Sequence, residues 1–373
     1  MSTIFLTGST GFLGSHFLIG FVGTQFERAY VLIRGETEQI RRDKLVSALQ
    51  LAAVSYSVKP DIEALLQRVT IVQGDISKPR FGVSDSDLLE LQQAHLAQFW
   101  HFAASLNFEE HRRDHIKSTN IDGALYAVQF CQAAHIEHFI YISTAYTSGR
   151  GNGPVPESLH SPDRSFCNYY EESKCQAEHT VMETCHAIKL PVTIFRPSMV
   201  IGNSQTKNPG GSDTALYGFL RELRRLKRAV TGVNEPVRLF CMPQGQVNFI
   251  PIDLLMSDIR LVLNTGLVDG DIHHLTSDQC PQIKSALSMI CEQLGLTNIT
   301  LMQRDDSPLS LVETVLEQHL SLYANYINAH KLFARKIAQS HTVTDEEFVA
   351  YVTEGIKHLP AEIAPVAARV AAH

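Results

Sequence analysis

The chain has 373 residues, of which 44% are hydrophobic and 19% charged, with Leu, Val, Ile and Phe spread along its length. Those proportions exclude a disordered chain and predict a sizeable globular core. A formal charge of -7, with no basic excess, excludes a general nucleic-acid binder.

Seven cysteines without a C-x-x-C pair read as free thiols in a reducing compartment, which predicts a cytoplasmic protein. The start, "MSTIFLTGSTG", has no basic region and runs straight into a strand-like stretch, so it is not read as a signal peptide. No apolar run is long enough to span a bilayer.

Short β-rich runs alternate with helical patterns through the first half. "TIFLTG", "AYVLIR", "VTIVQGD", "QFWHFAA", "HFIYIST" and "PVTIFRPS" are each apolar on both alternations, as strands covered on both faces are. Helical patterns lie between them at 14–21, 38–51 and 121–134. The expected fold is therefore α/β, a doubly wound parallel sheet of Rossmann type. "GNSQTKNPGGSD" after Ile201 is a polar, Gly-rich exit from that sheet. Beyond it come a basic helix near 216–230, the strand-like "VNFIPI", a helix over 253–263, the strand-like "DIHHLT" and further helices from Pro281. The tail "PAEIAPVAARVAAH" reads as a loosely attached helix or a disordered end with no lipidation signal.

"TGSTGFLG" places Gly8, Gly11 and Gly14 between the first strand and the first helix. This is the context in which glycines permit a tight turn, close approach to a pyrophosphate and helix packing, with helix N–H groups facing the anion. Residues Gly8, Ser9, Thr10, Gly11, Phe12, Leu13 and Gly14 are accordingly the expected dinucleotide loop. At the second strand end an acidic residue would hold a ribose 2′-hydroxyl, whereas arginine suits a 2′-phosphate. The chain has Arg34 there, followed by Arg41, Arg42 and Lys44, with Glu36 two residues past the tip. NADP(H) is therefore preferred over NAD(H). "QGDI" offers Asp75 and Ile76 to the adenine, and "HFAAS" offers Ala103 and Ala104 as small residues beside the cofactor.

"YEESK" sets Tyr170 four residues before Lys174, roughly 40° apart around a helix, whereas Tyr169 would point roughly 140° from that lysine. A phenol is a poor acid or base near neutral pH unless a cation favours its ionised form, and a lysine at this spacing supplies one. Alone the spacing describes an exposed helix pair as well as a site. Its order after the glycine loop and "YISTAY" favours the site. Ser143 and Thr144 offer hydroxyls at that strand end, one to orient a carbonyl oxygen and one to line the nicotinamide. Asn120, in "STNIDGA", is either a helix N-cap or a holder of active-site backbone or water.

"TGSTGFLG", "GDI", "HFAA", "TNIDGA", "YISTAY", "YEESK" and "RPSMVIG" together resemble the extended short-chain dehydrogenase/reductases. Within that superfamily the chain is most similar to the thioester reductase and fatty acyl-CoA reductase branch. "LIRGETEQIRRDKLVSAL" resembles its arginine segment, with Lys44 at the second basic position, and "VNFIPIDLLMSDI" resembles a later strand and helix. The resemblance implies Thr144 as catalytic hydroxyl, Tyr170 and Lys174 as the catalytic pair, and Pro197 and Val200 flanking the nicotinamide. It implies a dinucleotide-binding domain over 1–202 and a substrate region over 203–373, with parts of about 245–280 returning to the sheet.

The implied activity is NADPH-dependent reduction of an acyl thioester, carried by coenzyme A or an acyl carrier protein, to an aldehyde. Ketone or alcohol dehydrogenases of the hydroxysteroid or dihydroflavonol type, and sugar-nucleotide epimerases or dehydratases, share every residue named. A cofactor-sensing regulator would keep the fold but typically lose the tyrosine or lysine. The basic run at Arg221, Arg224, Arg225, Lys227 and Arg228 is either a solvated helix face or a dock for an acidic carrier. The histidine pairs of "HIEH" and "IHHL" lack metal-site spacing, so no metal is expected.

Overall fold

A computed structural model describes residues 2–108 and 110–360, apart from the side chain of residue 110. The Ala-rich tail from residue 361 on lies outside the described residues. Seven parallel strands form one sheet, in the spatial order Asp271–Leu275, Val192–Pro197, His138–Ile142, Leu96–His101, Ser2–Thr7, Phe26–Ile33 and Val69–Gln73. The chain winds outward from Ser2–Thr7 in both directions. The switch point thus falls between that strand and Leu96–His101, where open α/β sheets bind their ligands.

Side chains of one strand alternate between the two faces. Ile4 and Leu6 join Phe17, Phe21 and Trp100 on one side, while Phe5 joins Phe99, Phe130 and Phe139 on the other. Both layers are dry, and each large apolar side chain so buried contributes about 1.5–3 kcal/mol. The helix pattern expected from Gly14 starts earlier, at Phe12, and the one expected over 121–134 is a helix over Gly123–Ala133 preceded by a π-turn over Ser118–Asp122.

A third core gathers the helices Ala215–Thr231, Ile283–Leu294, Leu311–Ile327 and Asp345–His358 around two short paired strands, Val237–Phe240 and Ile299–Met302. Of the stretch expected to return to the sheet, Asp271–Leu275 forms its edge strand. The "VNFIPI" strand, Phe249–Pro251, instead pairs with Met199–Ile201 in a separate ribbon. The later chain also reaches back at Lys331–Phe333, which pairs with Gly153–Val155. Among the described residues no helix is long and apolar enough to cross a membrane.

Candidate active site

At the switch point the two central strand ends touch. Gly8 has φ +76°, and a Cβ there would stand 2.6 Å from the Ala103 backbone nitrogen. A Cβ on Gly14 would stand 2.2 Å from the Gly8 carbonyl oxygen, so the helix packs onto the loop only because that position is bare. The Phe12–Phe21 helix begins at Gly11 with no side-chain cap and no acidic residue in its first turn, which leaves its N–H groups and partial positive charge open to an anion. Ser9 Oγ is buried there without a hydrogen-bond partner. An orphaned donor, a bare helix N-terminus and a glycine cradle fit a dinucleotide pyrophosphate.

On the next strand end Arg34 is exposed, and Lys44 Nζ donates to its carbonyl oxygen at 2.8 Å. Arg41 donates to the Gly35 carbonyl at 2.7 Å. The basic residues of two elements therefore converge on one tip. Asp75 Oδ1 accepts from the Ser77 backbone and hydroxyl at 3.0 and 2.8 Å. Burial pushes its carboxyl up, but those bonds, with Arg34 and Lys78 nearby, hold it below the ordinary value. Ile76 lies against the start of the Gly123–Ala133 helix, its carbonyl oxygen 3.3 Å from where a Gly123 Cβ would be.

The Tyr169–Ile188 helix carries the tyrosine and lysine, and Asn168 caps it by accepting from the Glu171 N–H at 3.0 Å. Tyr170 lies edge-on to Phe108 with ring centroids 5.6 Å apart. Tyr169 faces away and packs under the Arg113 guanidinium, 4.1 Å from the ring centre. Burial, reinforced by Glu171, holds the Tyr170 phenol above its ordinary value, so at neutral pH it carries its proton. Lys174 is buried; its Nζ donates to the Ile142 carbonyl at 2.6 Å and sits 4.0 Å from the Tyr141 ring centre. Burial lowers its ammonium to about 7, against a smaller opposing pull from Glu178.

Thr144 and Ser143 stand at the end of the His138–Ile142 strand, both buried. Thr144 Oγ1 accepts from the Tyr146 N–H at 3.3 Å and donates only a long bond, 3.5 Å, to the Pro197 carbonyl, and Ser143 Oγ has no partner. Both hydroxyls are thus ready to turn to a ligand. Val200 lies just past Pro197, in the short ribbon beside Ile250. Asn120 is not an N-cap: it sits within the π-turn, accepts from Ser105 N at 2.7 Å, and donates to Ser105 O and Ser173 Oγ at 3.1 and 3.0 Å. The π-turn swings this side chain inward, and the bonds tie the segment after Ala104 to the catalytic helix.

Several supporting residues escaped the sequence reading. Glu178, one turn beyond Lys174, forms a two-pronged pair with Arg196 at 2.6 and 2.8 Å, with both side chains fully buried. His101 receives or gives a bond to Thr7 Oγ1 at 2.8 Å, and burial, then Lys174, lowers it to about 3. Arg196 in "RPSMVIG" and His101 in "HFAAS" were legible as polar residues inside apolar strands. Their partners were not.

Of the histidines considered for metal, His135 is exposed and the other three have partners within the fold. His138 bonds Thr193 Oγ1, His273 packs on Phe195, and His274 bonds the Ala334 carbonyl. Among the described residues no three His, Cys, Asp or Glu side chains converge as a metal-binding group. On the basic helix Arg225 pairs with Glu222 at 2.6 Å, with Arg221 at 3.8 Å from the same carboxylate, so part of that charge is internally balanced.

The glycine loop at the switch point of a Rossmann-type sheet, followed by the hydroxyl strand end and the Tyr/Lys helix, defines an extended short-chain dehydrogenase/reductase, a class of NAD(P)-dependent oxidoreductases. The family model for NAD-binding male sterility proteins matches residues 6–259, and the chain belongs to that family. A nonribosomal peptide synthetase of Aspergillus flavus is 24% identical over 78% of this chain and 28% of its own length. A putative fatty acyl-CoA reductase of Drosophila melanogaster is 26% identical over 72% of this chain and 51% of its own length. The chain thus spans about a quarter to a half of these relatives. Among solved structures, the terminal R domain of the myxalamid PKS-NRPS pathway superposes with a TM-score of 0.69 at 21% identity, covering 96% of this chain and 90% of that one. The thiolation-reductase di-domain of an archaeal nonribosomal peptide synthetase gives 0.70 at 16% identity, covering 95% and 75%.

Proposed function

We propose that this chain uses NADPH to reduce an acyl thioester to an aldehyde. What supports the reading is that the Tyr170 helix brings Lys174 Nζ to the Ile142 carbonyl, two residues before Thr144 at the same strand end, in a family whose relatives include a protein named as an acyl-CoA reductase. NADPH rather than NADH follows from the Arg34, Arg41 and Lys44 cluster, which presents cations where a 2′-hydroxyl-binding site would present a carboxylate. The two-domain division at about residue 202 and a carrier-protein donor belong to the same proposal. The carrier donor is supported by the likeness to a solved thiolation-reductase di-domain, and the division by the separate core that the helices after residue 202 form.

When bound, the nicotinamide supplies the hydride. Thr144 and Tyr170 hydroxyls donate to the thioester carbonyl oxygen and favour the negative charge that develops on it. Tyr170, protonated at neutral pH, passes its proton to that oxygen. The resulting phenolate is stabilised by the Lys174 ammonium, which also has N–H groups left for the ribose hydroxyls after its bond to Ile142. The thiohemiacetal then loses its thiol to give the aldehyde. Asn120, Glu178 and Arg196 hold the helix and the Ala104 segment in register.

NADPH oxidation with an acyl-CoA, a carrier-bound thioester and a panel of ketones tests the reading: thioesters should turn over and ketones should not. Tyr170→Phe should lower turnover by about 10²–10⁴-fold while leaving cofactor affinity unchanged. A fully active Tyr170→Phe enzyme refutes the mechanism, and turnover of ketones alone refutes the substrate class.

A further inference from the structure

Beside the catalytic strip lies a cavity of about 280 Å³. Its lining includes Tyr146, two residues after Thr144, and Cys167, three before Tyr170, together with Arg150, Asn248, Tyr326 and Lys331. Asn248 accepts from Ser198 Oγ at 2.7 Å, next to Pro197, so one wall joins the strand end assigned to the nicotinamide. Gly149 and Gly151, both with positive φ, also line the cavity.

Two cations line this cavity and no carboxylate does. Arg150 spends Nε on the Phe166 carbonyl at 3.0 Å and Nη1 on Asn325 at 2.8 Å, and Lys331 Nζ donates to the Gly149 carbonyl at 2.5 Å. Neutral carbonyl and amide partners thus fix both heads, and among the described residues neither has an ion-pair partner within 4 Å. Glu171, the nearby carboxylate, already accepts from Tyr326 Oη at 2.6 Å and the Cys167 N–H at 3.1 Å. Burial lowers the Lys331 ammonium, against an opposing pull from the Glu171 carboxylate, which thus lies within electrostatic reach without forming an ion pair with it.

On the far side of Tyr326 and Val247, residues such as Leu216, Phe219 and Phe348 line a separate, apolar pocket. The cavity beside the catalytic strip is by contrast polar and cationic.

We propose that Arg150 and Lys331 form a subsite for an anionic group of the substrate, a carboxylate or a phosphate. The inference deepens the thioester-reductase reading and rests on it. A carboxylate at the distal end of a short acyl chain and a phosphate on the thiol carrier present the same anionic oxygens, and paired substrates separate them.

The test compares glutaryl-CoA with pentanoyl-CoA, and each with its N-acetylcysteamine thioester, in the wild type, Lys331→Met, Arg150→Gln and Lys331→Arg. A carboxylate site predicts a preference for glutaryl of about 10–100-fold in kcat/KM, lost in Lys331→Met and Arg150→Gln with pentanoyl turnover unchanged and largely restored in Lys331→Arg. A phosphate site predicts a preference of the same size for the coenzyme A thioesters over the N-acetylcysteamine ones, lost in the same variants. The absence of both preferences, or their survival in Lys331→Met, overturns the proposal. Calorimetric titration of the wild type and Lys331→Met with glutarate and with 4′-phosphopantetheine measures the subsite without turnover. If no thioester is reduced, the thioester reading fails while this titration still decides the subsite: charge-dependent binding supports it, and no binding refutes it.

Discussion

The cofactor edge and the substrate edge of this molecule are built in opposite ways. At the proposed cofactor edge the backbone shapes the site: Gly8, Gly14 and the bare start of the Phe12–Phe21 helix leave space and N–H groups. At the substrate edge side chains from remote parts of the chain meet, as with Tyr326 and Glu171, 155 positions apart, or Arg150 and Asn325, 175 apart. A backbone site tolerates almost no change of shape, whereas a side-chain site can be retuned one residue at a time.

The comparison is most severely tested at Gly8. Gly8→Ala would drive a Cβ to 2.6 Å from backbone and impose strain of about 1–3 kcal/mol at φ +76°. If the loop shifts by about 1 Å, turnover should fall about 10²-fold. Cofactor titration and thermal unfolding would show both losses, and a wild-type-like Gly8→Ala would break the claim that backbone shape governs this edge.

The cofactor edge has one side-chain component, and removing it should change preference without harming the frame. Arg34→Ser with Lys44→Ser should weaken NADPH by about 10–100-fold and leave NADH nearly unaffected. Equal losses for both cofactors would assign the pair to folding instead.

The two edges meet at Lys174, whose ammonium is lowered to about 7 by burial. The free enzyme holds this proton below about pH 7 and releases it above. Catalysis that needs the charge should therefore fall about tenfold per unit as pH rises beyond that point, in kcat/KM for the cofactor. Lys174→Met should abolish this limb along with most of the activity. The fold has the converse dependence: with its folded value below the ordinary 10.5, Lys174 binds fewer protons folded than unfolded between about 7 and 10.5, so its contribution to stability rises with pH across that window.

The smallest effect is expected at Tyr169. Its ring packs beneath Arg113, a contact that Tyr169→Phe retains, so turnover should stay within about twofold. A large loss there would break the asymmetry between the two neighbouring tyrosines.

Legibility in the sequence follows the same division. "TGSTGFLG" could be read because a turn, a helix start and an anion site are all made by residues a few positions apart. The helical spacing of Tyr170 and Lys174 could be read for the same reason. The Asn120 position was visible with two alternative roles, and a π-turn and its bonds to Ser105 and Ser173 decided for the one that holds backbone. "VNFIPI" was visible as a strand, and only its pairing with Met199–Ile201 put it outside the main sheet.

The sequence by itself determined the α/β class, the glycine turn between the first strand and helix, and which tyrosine shares a helix face with the lysine. Each depends on periodicity or on local backbone geometry, which a few consecutive residues specify. The tertiary structure alone decided that Arg196 meets Glu178 in a dry core, that Glu171 is held by Tyr326, and that Arg150 and Lys331 face one cavity. Charge pairing and burial are properties of neighbours in space, and those neighbours come from segments whose separation along the chain carries no local signal.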